Sequence, residues 1–145
     1  MRAALTVALA LAASPACAEW LKMGEVPDAI LFIDPSSIHE DGVFSTLLTL
    51  DELKVAGPGG ELSMQFLREF DCRQKRVRVV DASAFSGSMA TGRVLGREGG
   101  GRWNSVAPGT TGEDILRFVR AVGSSRSPKG ILPLDALVGD PKELS

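Results

Sequence analysis

The chain has few of the residues that most often carry chemistry. Among its 145 residues there is one histidine, His39, and there are two cysteines, Cys17 and Cys72. A single histidine with no cysteine pair excludes the His and Cys ligand sets that hold zinc. His39 sits beside Glu40-Asp41 and reads as a turn residue, without a second ligand or acid–base partner. No Cys-x-x-Cys occurs, so disulfide exchange in the usual manner is excluded. The longest apolar run is the 11 residues from Ala3 to Ala13. A helix across a bilayer needs about 20, so no integral membrane span is expected. Sixteen Lys and Arg stand against 18 Asp and Glu, a net charge of −2. Without a basic excess, nucleic acid is not an expected partner. Glycine-rich Gly57-Pro58-Gly59-Gly60 and Gly99-Gly100-Gly101 are followed by no Gly-Lys-Ser/Thr. They read as hairpin tips rather than phosphate loops. No unit of 20 to 50 residues repeats.

What is present begins at the N-terminus. Arg2 precedes the apolar run, Pro15 breaks it, and Ala16-Cys17-Ala18 follows. That order is a secretory signal peptide over residues 1–18, cut after Ala18. The alternatives are a lipoprotein cut before Cys17 and an apolar N-terminal helix of a cytosolic domain. Against lipidation, Ser14 stands where a lipobox carries an aliphatic residue, and Pro15 fits poorly. The protein is therefore expected to be exported, to the periplasm or the outer surface.

Export removes Cys17 and leaves Cys72 alone in an oxidising compartment. An unpaired cysteine there is either buried and inert or bonded to another chain. The 127 residues after the cut suit one domain with one core. Charge is unevenly spread along them. Residues 19–52 hold eight acidic residues and one lysine, whereas 68–126 hold eleven basic and six acidic ones. Either the surface is solvated with complementary faces, or a basic face meets acidic groups on a partner.

The mature chain reads mostly as strands. Candidates are Trp20–Val26, then Ala29–Asp34 ended by Pro35 and a Ser36-Ser37 turn. Val43–Leu50 follows the hairpin signal Asp41-Gly42. Glu61–Asp71 and Arg76–Phe85 form a hairpin pair around Cys72–Lys75. In the second arm Val77 and Val79 alternate with Arg76 and Arg78, which buries one face and charges the other. Met89–Arg97 is a further strand, and Trp103 opens a short one before Pro108. Thr110-Thr111-Gly112-Glu113 is a capping box. Behind it Ile115, Leu116, Phe118, Val119 and Val122 make one apolar helix stripe, with Gly123 as the stop. Residues 124–145, with Pro128, Pro133 and Pro141, read as an extended tail. Series of strands with short links and one late helix give an α+β architecture. It is an antiparallel β-sheet of about six strands with one C-terminal α-helix packed on a face.

Among polar groups, Arg73, Lys75, Arg76 and Arg78 are the densest basic cluster. They are either a solvated face that protects a sheet edge or a partner-binding surface for acidic proteins or lipid head groups. Arg73, Lys75 and Arg76 would also lower the pKa of Cys72. No base for a thiol nucleophile is evident. Of the acidic pairs, Glu113-Asp114 belongs to the helix N-terminus, and Glu40-Asp41 and Asp51-Glu52 fit exposed turns.

A string of landmarks resembles the surface-adhesin protein E family of Gram-negative bacteria. The landmarks are Trp20, Phe32–Ile38, Phe70–Arg78, Ser86-Gly87-Ser88-Met89 with Gly92, and Trp103–Thr110 leading into the helix. The resemblance implies an antiparallel sheet with a C-terminal helix, acting as a non-enzymatic adhesin-like module over residues 19–123. It also implies adhesion to host matrix proteins. The family pattern further implies a disulfide from the middle hairpin to the helix end. Here Cys72 is present, but the helix end Phe118-Val119-Arg120-Ala121 offers no second cysteine. The alternative function is a periplasmic structural or accessory protein that binds another envelope component. An enzyme is the least supported reading, no cofactor or metal is expected, and a homodimer stays open.

Overall fold

The computed structural model describes residues 18–126. Residues 1–17 of the expected signal peptide and residues 127–145 of the expected tail lie outside the described residues. Seven strands are all antiparallel to their neighbours. They are β1 Leu21–Glu25, β2 Ala29–Asp41, β3 Phe44–Leu53, β4 Ser63–Asp71, β5 Arg76–Phe85, β6 Val94–Gly99 and β7 Asn104–Ser105. The first six lie in sequence order, and β7 pairs with the start of β5. The helix α1 spans Thr111–Arg126. This is the antiparallel sheet and single C-terminal helix that the strand spacing and the resemblance lead one to expect.

Alternation sets the two faces of the sheet. In β3, Ser45, Leu47 and Thr49 are buried at every second position. Leu47 joins Ile33, Ile38 and Phe70 under Ile115, Leu116 and Val119 of α1. Phe118 and Val122 pack at the edge of this core, as the helix stripe requires. Each fully buried aliphatic side chain contributes roughly 1.5–3 kcal/mol. That burial holds the helix to the sheet, because no disulfide ties it down among the described residues. Close approach also matters: a Cβ on Gly24 would lie 2.9 Å from the Thr111 hydroxyl at the start of α1.

Four local expectations change. Pro35 does not end β2, which runs on to Asp41 through a register shift between Asp34 and His39. Asp34 Oδ1 accepts the backbone N–H and the hydroxyl of Ser36, and Ser37 Oγ accepts the N–H of Leu48. Side chains thus replace ladder bonds over the bulge. The strand expected from Met89 begins only at Val94, after a 3-10 turn over Ser88–Ala90. That turn packs on β3 and β4, on the face opposite α1. Gly123 does not stop the helix. Ser124 and Ser125 cap their own turn by donating to the carbonyls of Arg120 and Ala121. The capping box is displaced by one residue: Thr110 Oγ1 accepts the Glu113 N–H, but the Glu113 carboxylate accepts from Gly109.

Candidate functional site

The β4–β5 turn is organised by one carboxylate. Asp71 is 2% exposed and lies at the end of β4. Its Oδ1 accepts the N–H groups of Arg73 and Gln74, both at 3.1 Å. Its Oδ2 accepts Nε–H of Arg76 at 3.0 Å. These bonds, led by that from Gln74, hold the Asp71 carboxyl below its usual pKa. Lys75 completes the turn at φ +50°, where the chain reverses into β5.

The four basic residues therefore divide into two pairs. Arg76 is neutralised by Asp71, and Arg78 by Glu69 at 2.6 Å. Both guanidinium groups also lie 4.8 Å from the centre of the Trp103 ring, which stacks at 5.4 Å on Phe44. Glu69, Asp71, Arg76 and Arg78 thus form a cross-strand lattice under Trp103, on the sheet face away from α1. Arg73 and Lys75 are exposed on the turn and make no ion pair among the described residues. The basic cluster of the sequence is two open cations beside two engaged ones.

Cys72 stands behind the turn, half-buried and unpaired, against the helix-side core. Burial pushes its thiol pKa up. The nearby cation that opposes this is Arg120 of α1, not Arg73, Lys75 or Arg76. The expected lowering by the turn residues does not occur: Arg73 and Lys75 are exposed, and Arg76 is engaged by Asp71.

A second polar cluster lies across β3 and β4, where no sequence motif marks it. On the helix side of the sheet, Arg68 of β4 donates from Nε to Thr49 Oγ1 at 2.8 Å and lies 4.6 Å over Phe66. Asp51 of β3 is electrostatically coupled to it. Burial raises the Asp51 pKa and lowers that of Arg68, in each case against the charged form. Asp51 Oδ1 is buried without a hydrogen bond. His39 is exposed in β2 opposite Thr46, and no group of three or more metal-ligating side chains occurs among the described residues. No described helix is long and apolar enough to cross a membrane.

The profile of the surface-adhesin protein E family matches residues 20–119. The chain belongs to that family. Crystal form II of Haemophilus influenzae protein E superposes with a TM-score of 0.57 at 15% identity, covering 81% of this chain and 98% of that one. Protein E from non-typeable Haemophilus influenzae gives 0.57 at 16% identity, covering 83% and 86%. At such identity the solved structures speak for the fold alone. No curated protein sequence matches the chain. Three of the landmark segments have definite places in the structure. Phe70–Arg78 holds the Asp71-centred turn, Ser86–Met89 leads into the 3-10 turn over Ser88–Ala90, and Trp103 covers the arginine lattice.

Proposed function

We propose that this protein is an exported, non-enzymatic binding module of the bacterial cell envelope, adhesin-like, which meets a protein partner through the β4–β5 turn. The observation that carries the reading is the surface-adhesin family match across residues 20–119. The signal-peptide order of residues 1–18 supports export. The turn supports a contact role because Asp71 fixes its backbone, while Arg73 and Lys75 stay open to solvent. Preorganised exposed cations raise association rates with acidic surfaces. A host matrix protein is the class of partner the family name suggests.

Protease treatment of intact cells tests the location. Digestion without permeabilisation is expected, and digestion only after the outer membrane is opened would overturn the surface reading. Binding is tested on immobilised matrix proteins with Arg73→Glu and Lys75→Glu, which leave the Trp103 lattice intact. Loss of binding in both variants is expected. Unchanged binding removes the turn from the contact surface.

A further inference from the structure

The β4–β5 turn and the middle of α1 do not close on each other. Between them opens a cavity of about 180 Å³. Its apolar lining comes from Cys72, Val106, Pro108 and Leu116, and its polar lining from Lys75, Glu113, Arg117 and Arg120. Ligand pockets for drug-sized molecules run to roughly 300–1,000 Å³. This cavity is smaller, the size for one side chain.

Its charges are not balanced. The Glu113 carboxylate already accepts the Gly109 N–H, and it lies 3.8 Å from Arg117. Asp114 adds a second acid 3.7 Å from Arg117. Asp71 is taken by Arg76, and Glu40 is near enough to act on Cys72. Lys75 and Arg120 have no ion pair among the described residues. Arg120 and Cys72 both line the cavity, and Arg120 is near enough to act on the Cys72 thiol. Arg73 stands exposed beside the same rim. The two unpaired cations come from different elements, one from the turn and one from the helix.

We propose that this cavity seats an Asp or Glu side chain from an acidic segment of a protein partner, with the carboxylate between Lys75 and Arg120 and the methylene groups against Leu116 and Val106. The inference rests on the reading of the chain as a protein-binding module and names the chemistry of the partner. A recess with an apolar floor fits a protruding side chain. The flat surface of an anionic bilayer would meet only the rim.

The test uses the full chain and a fluorescein-labelled peptide, Glu-Leu-Glu-Glu-Leu-Glu-Glu-Leu, followed by anisotropy at low and high salt. Lys75→Glu and Arg120→Glu are each expected to weaken binding by about tenfold or more. Arg97→Glu, on exposed β6, is expected to leave it unchanged. Arg120→Gln, with its unfolding midpoint checked, separates lost charge from lost fold. Bound peptide is also expected to slow N-ethylmaleimide labelling of Cys72, read by mass spectrometry. Absent binding, equal binding by the Lys75 and Arg120 variants, unprotected Cys72, or binding to phosphatidylglycerol vesicles in place of the peptide would each overturn the proposal. Location is measured separately by protease on cells. A surface-exposed protein that ignores the peptide loses only the cavity, and a peptide binder confined to the periplasm loses only the adhesin reading.

Discussion

Arg76 donates to Asp71 across the β4–β5 turn at 3.0 Å, from the strand that follows the turn to the strand that precedes it. The same carboxylate holds the turn's own N–H groups. Its pKa is lowered in the folded state, so unfolded Asp71 binds its proton more tightly. The stability it gives is present above the ordinary carboxylate range near pH 4 and is lost as pH falls through the lower folded value. Asp71→Asn is therefore expected to lower the urea midpoint at pH 7. The gap from the wild type should narrow steadily below about pH 4. A gap that stays constant from pH 7 to pH 2.5 would remove the ionised carboxylate from the explanation.

Arg68 and Asp51 behave differently, because burial works against both charges. Asp51 has a raised folded pKa, so its contribution is fully present below the ordinary carboxylate range and is lost as pH rises through the folded value. Arg68→Met removes the compensating cation and leaves a buried carboxylate. It should cost about 1–3 kcal/mol at pH 8 and less at pH 4, where Asp51 takes up a proton. The double variant Asp51→Leu with Arg68→Met should recover most of that loss, since apolar side chains often replace buried charges without penalty. Guanidinium unfolding of the three proteins at the two pH values decides it. A double variant weaker than the single one would show that the attraction between the two charges outweighs the cost of burying them.

Trp103 lies over the arginine lattice on the second face of the sheet. Two arginines and Phe44 lie against its ring. Cation–π contacts contribute about 0.5–1 kcal/mol each at exposed sites, and an aromatic pair about 0.5–1.5 kcal/mol. Trp103→Ala is expected to destabilise by roughly 2–3 kcal/mol, and Trp103→Phe by less. Thermal unfolding provides the comparison. Equal loss in both variants would locate the effect in the indole N–H rather than in the stack.

Much of the fold is legible in the sequence because its signals are local. The stripe from Ile115 to Val122 has helical spacing, and Val77 and Val79 alternate with charges. Pro35 misleads because a proline signals a strand end. The bulge that carries it is held by Asp34, Ser36 and Ser37, whose side chains are read from sequence as a turn. The site is less legible, since it depends on pairing across strands. Glu69 lies nine residues from Arg78, yet the register sets the two side by side. Counting charges along the chain makes that hairpin look basic, and pairing them makes half of it neutral. Asp51 and Arg68 lie on separate strands, and no spacing rule links them.

The 3-10 turn over Ser88–Ala90 holds its strained backbone through side chains of β3 and β4. Met89 and Ala90 both have positive φ, +54° and +58°. A left-handed conformation costs about 1–2 kcal/mol for a residue with a Cβ. The turn persists because buried partners specify it. The Met89 N–H donates to Glu52 at 2.7 Å, and the Ala90 N–H donates to Ser63, which is fully buried. Ser63 in turn donates to the Gly87 carbonyl. Ala90→Gly removes the strain and keeps every one of these bonds, so it should raise stability by about 0.5–1 kcal/mol after the extra freedom of glycine in the unfolded chain is counted. Ser63→Ala should do the reverse, costing about 1–3 kcal/mol, because it strands the Ala90 N–H and the Gly87 carbonyl. Chemical denaturation of both variants reads the two signs. Stabilisation by Ala90→Gly with no loss from Ser63→Ala would mean that the turn is held by its packing on β3 and β4 and not by the hydroxyl.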